Sequence, residues 1–140
     1  MARRILISML TLFAIAAFAS LGSAQEEAPA TGPRVDQAVI CTGVEDRQPV
    51  GADTRFPAGV ERLYCWTRLA DLDGKTVVHA WIHEGVTRAR VELRVGSPMW
   101  RTYSSKQIRP EWTGKWEVKV MTQEGRVLST LGFEVGSAAP

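Results

Sequence analysis

Two stretches, VTRARVELRV (86–95) and KWEVKVM (115–121), alternate apolar and polar residues almost without a break. A two-residue period is that of a strand with one face buried and the other in water. In the first, Ala89, Val91, Leu93 and Val95 oppose Arg88, Arg90, Glu92 and Arg94; in the second, Trp116, Val118 and Val120 oppose Glu117 and Lys119. No segment after Ala24 carries a sustained helical period, so helical bundles and alternating α/β layers are excluded. Five further runs read as strands: 37–45, 60–69, 75–85, 100–108 and 126–135. Between them lie PVGADTRFPAG (49–59), the Asp-Gly turn DLDG (71–74), Glu84-Gly85, GSP (96–98), RPEWTG (109–114) and QEG (123–125). Seven strands with turns every eight to twelve residues predict an all-β chain, a single immunoglobulin-like β-sandwich of antiparallel strands. No internal repeat is present.

The N-terminus has a different grammar. Arg3-Arg4 precedes an apolar run from Ile5 to Ala19, and Gly22-Ser23-Ala24 precedes Gln25-Glu26-Glu27. This is the layout of a secretory signal peptide spanning 1–24, cleaved after Ala24. No cysteine follows the apolar run, which argues against a lipid tether, and the arginine pair fits a twin-arginine signal only in part. The expectation is export by the general route to the periplasm, with secretion or an uncleaved signal anchor as alternatives. Residues 25–36 read as a flexible leader, 37–136 as the sandwich, and 137–140 as a short tail. All 15 acidic residues lie beyond Ala24, and loss of Arg3 and Arg4 leaves an equal number of cations. The mature chain is therefore neutral, and a nucleic-acid partner loses its compositional support. A membrane enters only through the uncleaved anchor.

In an exported chain a free thiol is a liability, so Cys41 and Cys65 are expected to form a disulfide. Such a bond stabilises by about 3–4 kcal/mol on the chain-entropy model. The alternative is two buried thiols acting as small hydrophobes.

The ending GKWEVKVMTQEGRVLSTLGFEV resembles the last two strands of bacterial extracellular immunoglobulin-like modules. More specifically, ICTGVEDRQPVGADTRFP, LYCWTRL, HAWIHEG and WRTYSSKQIRPEWTGKWEV resemble a bacterial family known as domain of unknown function 2914, over nearly all of Val39 to Val135. The resemblance implies an exported or membrane-attached β-domain and supplies no catalytic residues.

Catalytic and metal chemistry find little footing. His79 and His83 are four apart, but on a strand that spacing separates the rings by roughly 13 Å, too far to share an ion. DLDG lacks the later oxygen ligands of a calcium loop. In Tyr103-Ser104-Ser105-Lys106, Ser105 and Lys106 point to opposite faces, and Ser104 has no nucleophile elbow around it. No cofactor motif appears, and a non-enzymatic role is expected.

Binding chemistry has more. Segment 86–109 holds Arg88, Arg90, Arg94, Arg101, Lys106 and Arg109 against Glu92 alone. Such a patch suits an anionic polymer or acidic glycan; alternatively it is an ordinary solvated strand face, balanced by neighbours such as Glu111 and Glu117. Trp81 lies between His79 and His83, opposite Val78, Ala80 and Ile82. It is an exposed recognition ring if that trio faces the core, and a buried one if it takes the place of the tryptophan that immunoglobulin-type sandwiches bury. Trp66 poses the same question. Trp116 belongs to the inward valine series, Trp100 is in phase with Thr102, Ser104 and Lys106, and Trp112 sits in a loop where periodicity fixes nothing. The candidate binding residues are Arg101, Tyr103, Lys106 and Trp112, with His79, Trp81 and His83 as a second stripe. The expected function is an accessory module of the cell envelope contacting a protein or an anionic polymer. The rival is a structural domain whose edge strand pairs with a partner chain.

Overall fold

The computed structural model describes residues 31–136. The expected signal peptide, the first half of the leader and the C-terminal tail lie outside them. The described chain is an all-β sandwich of ten strands. They are β1 (Arg34–Cys41), β2 (Gly43–Glu45), β3 (Gln48–Val50), β4 (Arg55–Phe56), β5 (Arg62–Ala70), β6 (Thr76–His83), β7 (Val86–Arg94), β8 (Met99–Gln107), β9 (Gly114–Thr122) and β10 (Val127–Val135). One sheet has the order β1-β5-β8 and the other β4-β10-β9-β6-β7, with β2 and β3 forming a separate hairpin. Chain crossings from β5 to β6 and from β7 to β8 make this an immunoglobulin-like arrangement. The seven predicted strands are present, but the first, 37–45, is split at Thr42 into β1 and β2; the two additions, β3 and β4, are three and two residues long, too short for any period to show.

The leader is shorter than expected. Strand β1 begins at Arg34, which pairs with Ala70, so Arg34, Val35 and Asp36 belong to the sheet. The register shifts between Val35 and Gln37, and this irregularity at Asp36 breaks the alternation that would have marked the strand. Asp36 is held there by Arg68 at 2.7 Å.

The core lies between the inner faces. Leu63, Cys65, Thr67 and Leu69 of β5 face Val77, His79 and Trp81 of β6, with Val118 and Val120 of β9 alongside, and all are fully or almost fully buried. Trp81 thus takes the buried position, and its strand turns Val78, Ala80 and Ile82 outward. That trio is also covered, because β6 is the central strand between β7 and β9. Glu92, Arg90, Lys119 and Glu117 stand opposite it, and their aliphatic stems shield it. Both faces of β6 are apolar, which is why alternation alone left Trp81 undecided.

The unpredicted hairpin covers the outer face of the three-stranded sheet. Its turn, Asp46-Arg47, has φ of 49° and 61°, the type I′ geometry usually given to Asn-Gly. The Arg47 carbonyl accepts a hydrogen bond from Trp66 Nε1 at 3.0 Å. Trp66 is buried on this outer side, not in the sandwich core.

The same register corrects the disulfide. Ile40 pairs with Cys65 and Cys41 with Tyr64. Directly opposed residues share a face and successive residues alternate, so Cys41 and Cys65 point to opposite sides of the sheet. Cys65 lies in the core beside Trp81, whereas Cys41 lies near the backbone of Gly43 and Val50 at the hairpin. Both are free thiols, and burial pushes both above the ordinary thiol range. Labelling of purified protein without reductant should therefore be slow in the native state and reach both cysteines in denaturant. Thiols that appear only after reduction would contradict this register.

Candidate functional site

The most unusual surface feature gathers around Trp112. This half-buried indole, in the loop between β8 and β9, has Arg88 and Lys106 each 5.0 Å and Arg109 4.9 Å from its ring centroid. Among the described residues none of these three forms a salt bridge. Arg62 borders the group from the start of β5, where its Nη1 donates to Ser105 Oγ at 2.9 Å. Lys106 is held below the ordinary lysine range, first by burial and then by Arg109, Arg88 and Arg62. Cation–π attraction to the indole offsets part of the mutual repulsion.

Each member arrives by a different route. Lys106 stands opposite the core residue Leu63 and so emerges from the inner face of β8, at the margin of the sandwich. Arg88 arrives through a bulge: Trp81 pairs with Ala89 and Ile82 with Thr87, leaving Arg88 unpaired. A bulge re-aims the extra side chain, which removes Arg88 from the outward series of Arg90 and Arg94 and places it over Trp112. Trp112 and Arg109 are fixed by a turn in which Trp112 N–H donates to the Arg109 carbonyl at 2.9 Å.

The floor of the site is aromatic. The Trp112 carbonyl accepts from Trp116 Nε1 at 2.9 Å, and their rings meet edge-on at 6.0 Å. His83 lies 4.7 Å from Trp116 and 6.4 Å from Trp112, and its Nε2–H donates to the Thr113 carbonyl at 2.8 Å. Nδ1 of His83 is buried with no partner among the described residues. The loop is thereby tied to β6 and β9.

The other predicted residues divide. Arg101 and Tyr103 do not join Lys106 and Trp112: they lie on the outer face of β8, opposite Arg68 and Trp66. Tyr103 is exposed there, edge-on to Tyr64 at 5.9 Å, beside a shallow groove that also involves Arg47 and Trp66. His79 and Trp81 are fully buried and form no surface stripe with His83, because the β6 face carrying all three turns into the core. Trp100 is half-buried on the inner side, against the cluster of Leu69, Val77 and Val95.

His79 instead belongs to a buried polar chain linking the two sheets, which periodicity could not reveal. Trp81 Nε1–H donates to Ser104 Oγ at 3.1 Å, and Ser104 Oγ lies 2.7 Å from His79 Nδ1. His79 Nε2 lies 3.4 Å from Thr67 Oγ1, whose hydroxyl donates to the Thr102 carbonyl at 3.2 Å. A neutral ring with its proton on Nε2 satisfies every member: Ser104 donates to Nδ1, and Nε2–H donates to Thr67. Burial holds the His79 pKa down at about 4. The Ser104–His79 pair has the distance of a nucleophile and base, but both are buried, and the serine oxygen already accepts from Trp81. This chain braces the fold. No group of three or more His, Cys, Asp or Glu is placed to hold a metal ion among the described residues.

Among curated proteins none matches the chain. A family model does match, over residues 74–135, the span from β6 to β10 that contains Arg88, Lys106, Arg109 and Trp112. Over that span the chain matches the family described as protein of unknown function (DUF2914), which supports the resemblance read from the sequence.

Proposed function

We propose that this domain is an exported, non-enzymatic binding module of the cell envelope that holds an anionic polymer, or the acidic surface of a partner protein, against the Trp112 site. The observation that carries the reading is the convergence of Arg88, Lys106 and Arg109 on one half-buried ring, with no salt-bridged carboxylate among the described residues. Guanidinium groups recognise carboxylates and phosphates through paired hydrogen bonds, and a low-dielectric aromatic wall strengthens them. Export is supported by the signal-like pattern of residues 1–24. The absence of a recognisable catalytic constellation in the sequence favours binding over reaction.

Retention on immobilised polyanions, polygalacturonate and polyphosphate, tests the reading. Arg109→Gln and Lys106→Gln are each expected to weaken binding by about tenfold or more, the worth of a charge-assisted hydrogen bond. Arg101→Gln, on the other face, should leave it within about twofold, and added salt should weaken it. A second reading rests on β8, a nine-residue strand at the edge of its sheet with Met99 and Tyr103 exposed. A partner whose capture ignores all three substitutions but is lost with a proline in β8 would favour edge pairing.

A further inference from the structure

We propose that the group seated at the Trp112 site is a phosphoryl group carrying at least two negative charges, not an isolated carboxylate; this rests on the anion-binding reading above. The charge centres of Arg88, Lys106 and Arg109 each lie within 5.0 Å of one centroid, so no two of them can be farther apart than twice that distance. Arg62 adds a fourth positive charge that acts on Lys106. A carboxylate brings one charge and two oxygens to this space and leaves most of the cluster unbalanced. A phosphoryl dianion brings two charges and three oxygens that can be approached from several directions at once, which suits guanidinium forks and an ammonium arriving from different strands.

The electrostatics agree. Lys106 carries its proton against burial and three guanidinium neighbours, and a dianion among them would offset most of that repulsion. The mixture of donors also fits: the guanidinium groups supply fixed planar pairs, and Lys106 supplies a rotatable point charge from the inner face of β8. The Trp112 turn, the Trp116 indole bond and the His83 bond hold the wall against which the group would sit.

The phosphoryl group has three possible sources: a free anion, an envelope polymer and a lipid headgroup. Titration calorimetry of the full chain separates them, using inorganic phosphate, pyrophosphate, polyphosphate, vesicles containing phosphatidic acid, and polygalacturonate as the carboxylate comparison. Pyrophosphate is expected to bind at least tenfold more tightly per site than polygalacturonate, with the affinity falling tenfold or more in Lys106→Gln and Arg109→Gln and unchanged in Arg101→Gln. Preference among the phosphate arms identifies the source. Polygalacturonate binding that depends on Lys106 and Arg109, with no pyrophosphate binding, would overturn the phosphoryl assignment and leave the anion-binding reading standing. No ligand showing that dependence, in variants with wild-type melting temperatures, would overturn both.

Discussion

Lowering the pH from 7 to 4 is expected to remove about 3 kcal/mol of folding stability through His79 alone, a large share of the roughly 5–15 kcal/mol typical of a domain. The folded pKa is about 4 and the ordinary value is 6.5, so the shift is downward. Above pH 6.5 the ring is neutral in both states and contributes no pH dependence. Between 6.5 and 4 the unfolded chain takes up a proton that the folded one refuses, so stability falls as pH falls. Below about 4 both states are protonated and the loss is complete. The physical cause is burial, together with a hydrogen-bond chain that needs a lone pair on Nδ1 to accept from Ser104. Urea unfolding at pH 7, 5.5 and 4 should show this component in the wild type and not in His79→Gln. Equal pH slopes in the two proteins would contradict it.

Ser104→Ala should be nearly as damaging, about 3 kcal/mol, although it removes a single oxygen atom. Ser104 Oγ accepts from Trp81 Nε1 and donates to His79, so its loss leaves two buried polar groups without partners. Each such orphan costs about 1–3 kcal/mol. The neighbouring Ser105, half-buried and bonded to the exposed Arg62, provides the comparison: Ser105→Ala should change stability by less than about 1 kcal/mol. Denaturant midpoints measured at pH 7.5 decide between them, and equal effects would mean that the inter-sheet chain braces nothing.

Much of this fold was legible because alternation is a strong local signal. Strand β9 could be read residue by residue, and β7 from Ala89 onward. The failures share a cause, since each depends on a departure from regular pairing or on which neighbour a strand meets. The I′ turn at Asp46-Arg47 lacks the glycine that usually advertises it, so the hairpin over Trp66 went unread. The disulfide was plausible from composition and impossible from register, because Ile40, not Cys41, stands opposite Cys65. At the site, Lys106 and Trp112 could be named from sequence, whereas Arg101 and Tyr103 belonged to the other face. Arg88 was assigned to the outward arginines until the bulge at Trp81/Ile82 redirected it, and Arg109 was seen only as one charge in a basic stretch. The two loop residues and the bulged one have no periodic signature, and together they make most of the site.

The central claim is that the cations gathered on Trp112 form an anion-binding site. A two-dimensional NMR titration of the indole, arginine and backbone N–H signals with tripolyphosphate tests it most directly. Saturable shifts are expected at Trp112 Nε1, at the Arg88 and Arg109 guanidinium signals and at the Lys106 amide, with the Trp66 indole and Arg101 signals still. Shifts confined to Arg47, Arg101 and Tyr103, or no saturable shift at all, would contradict it.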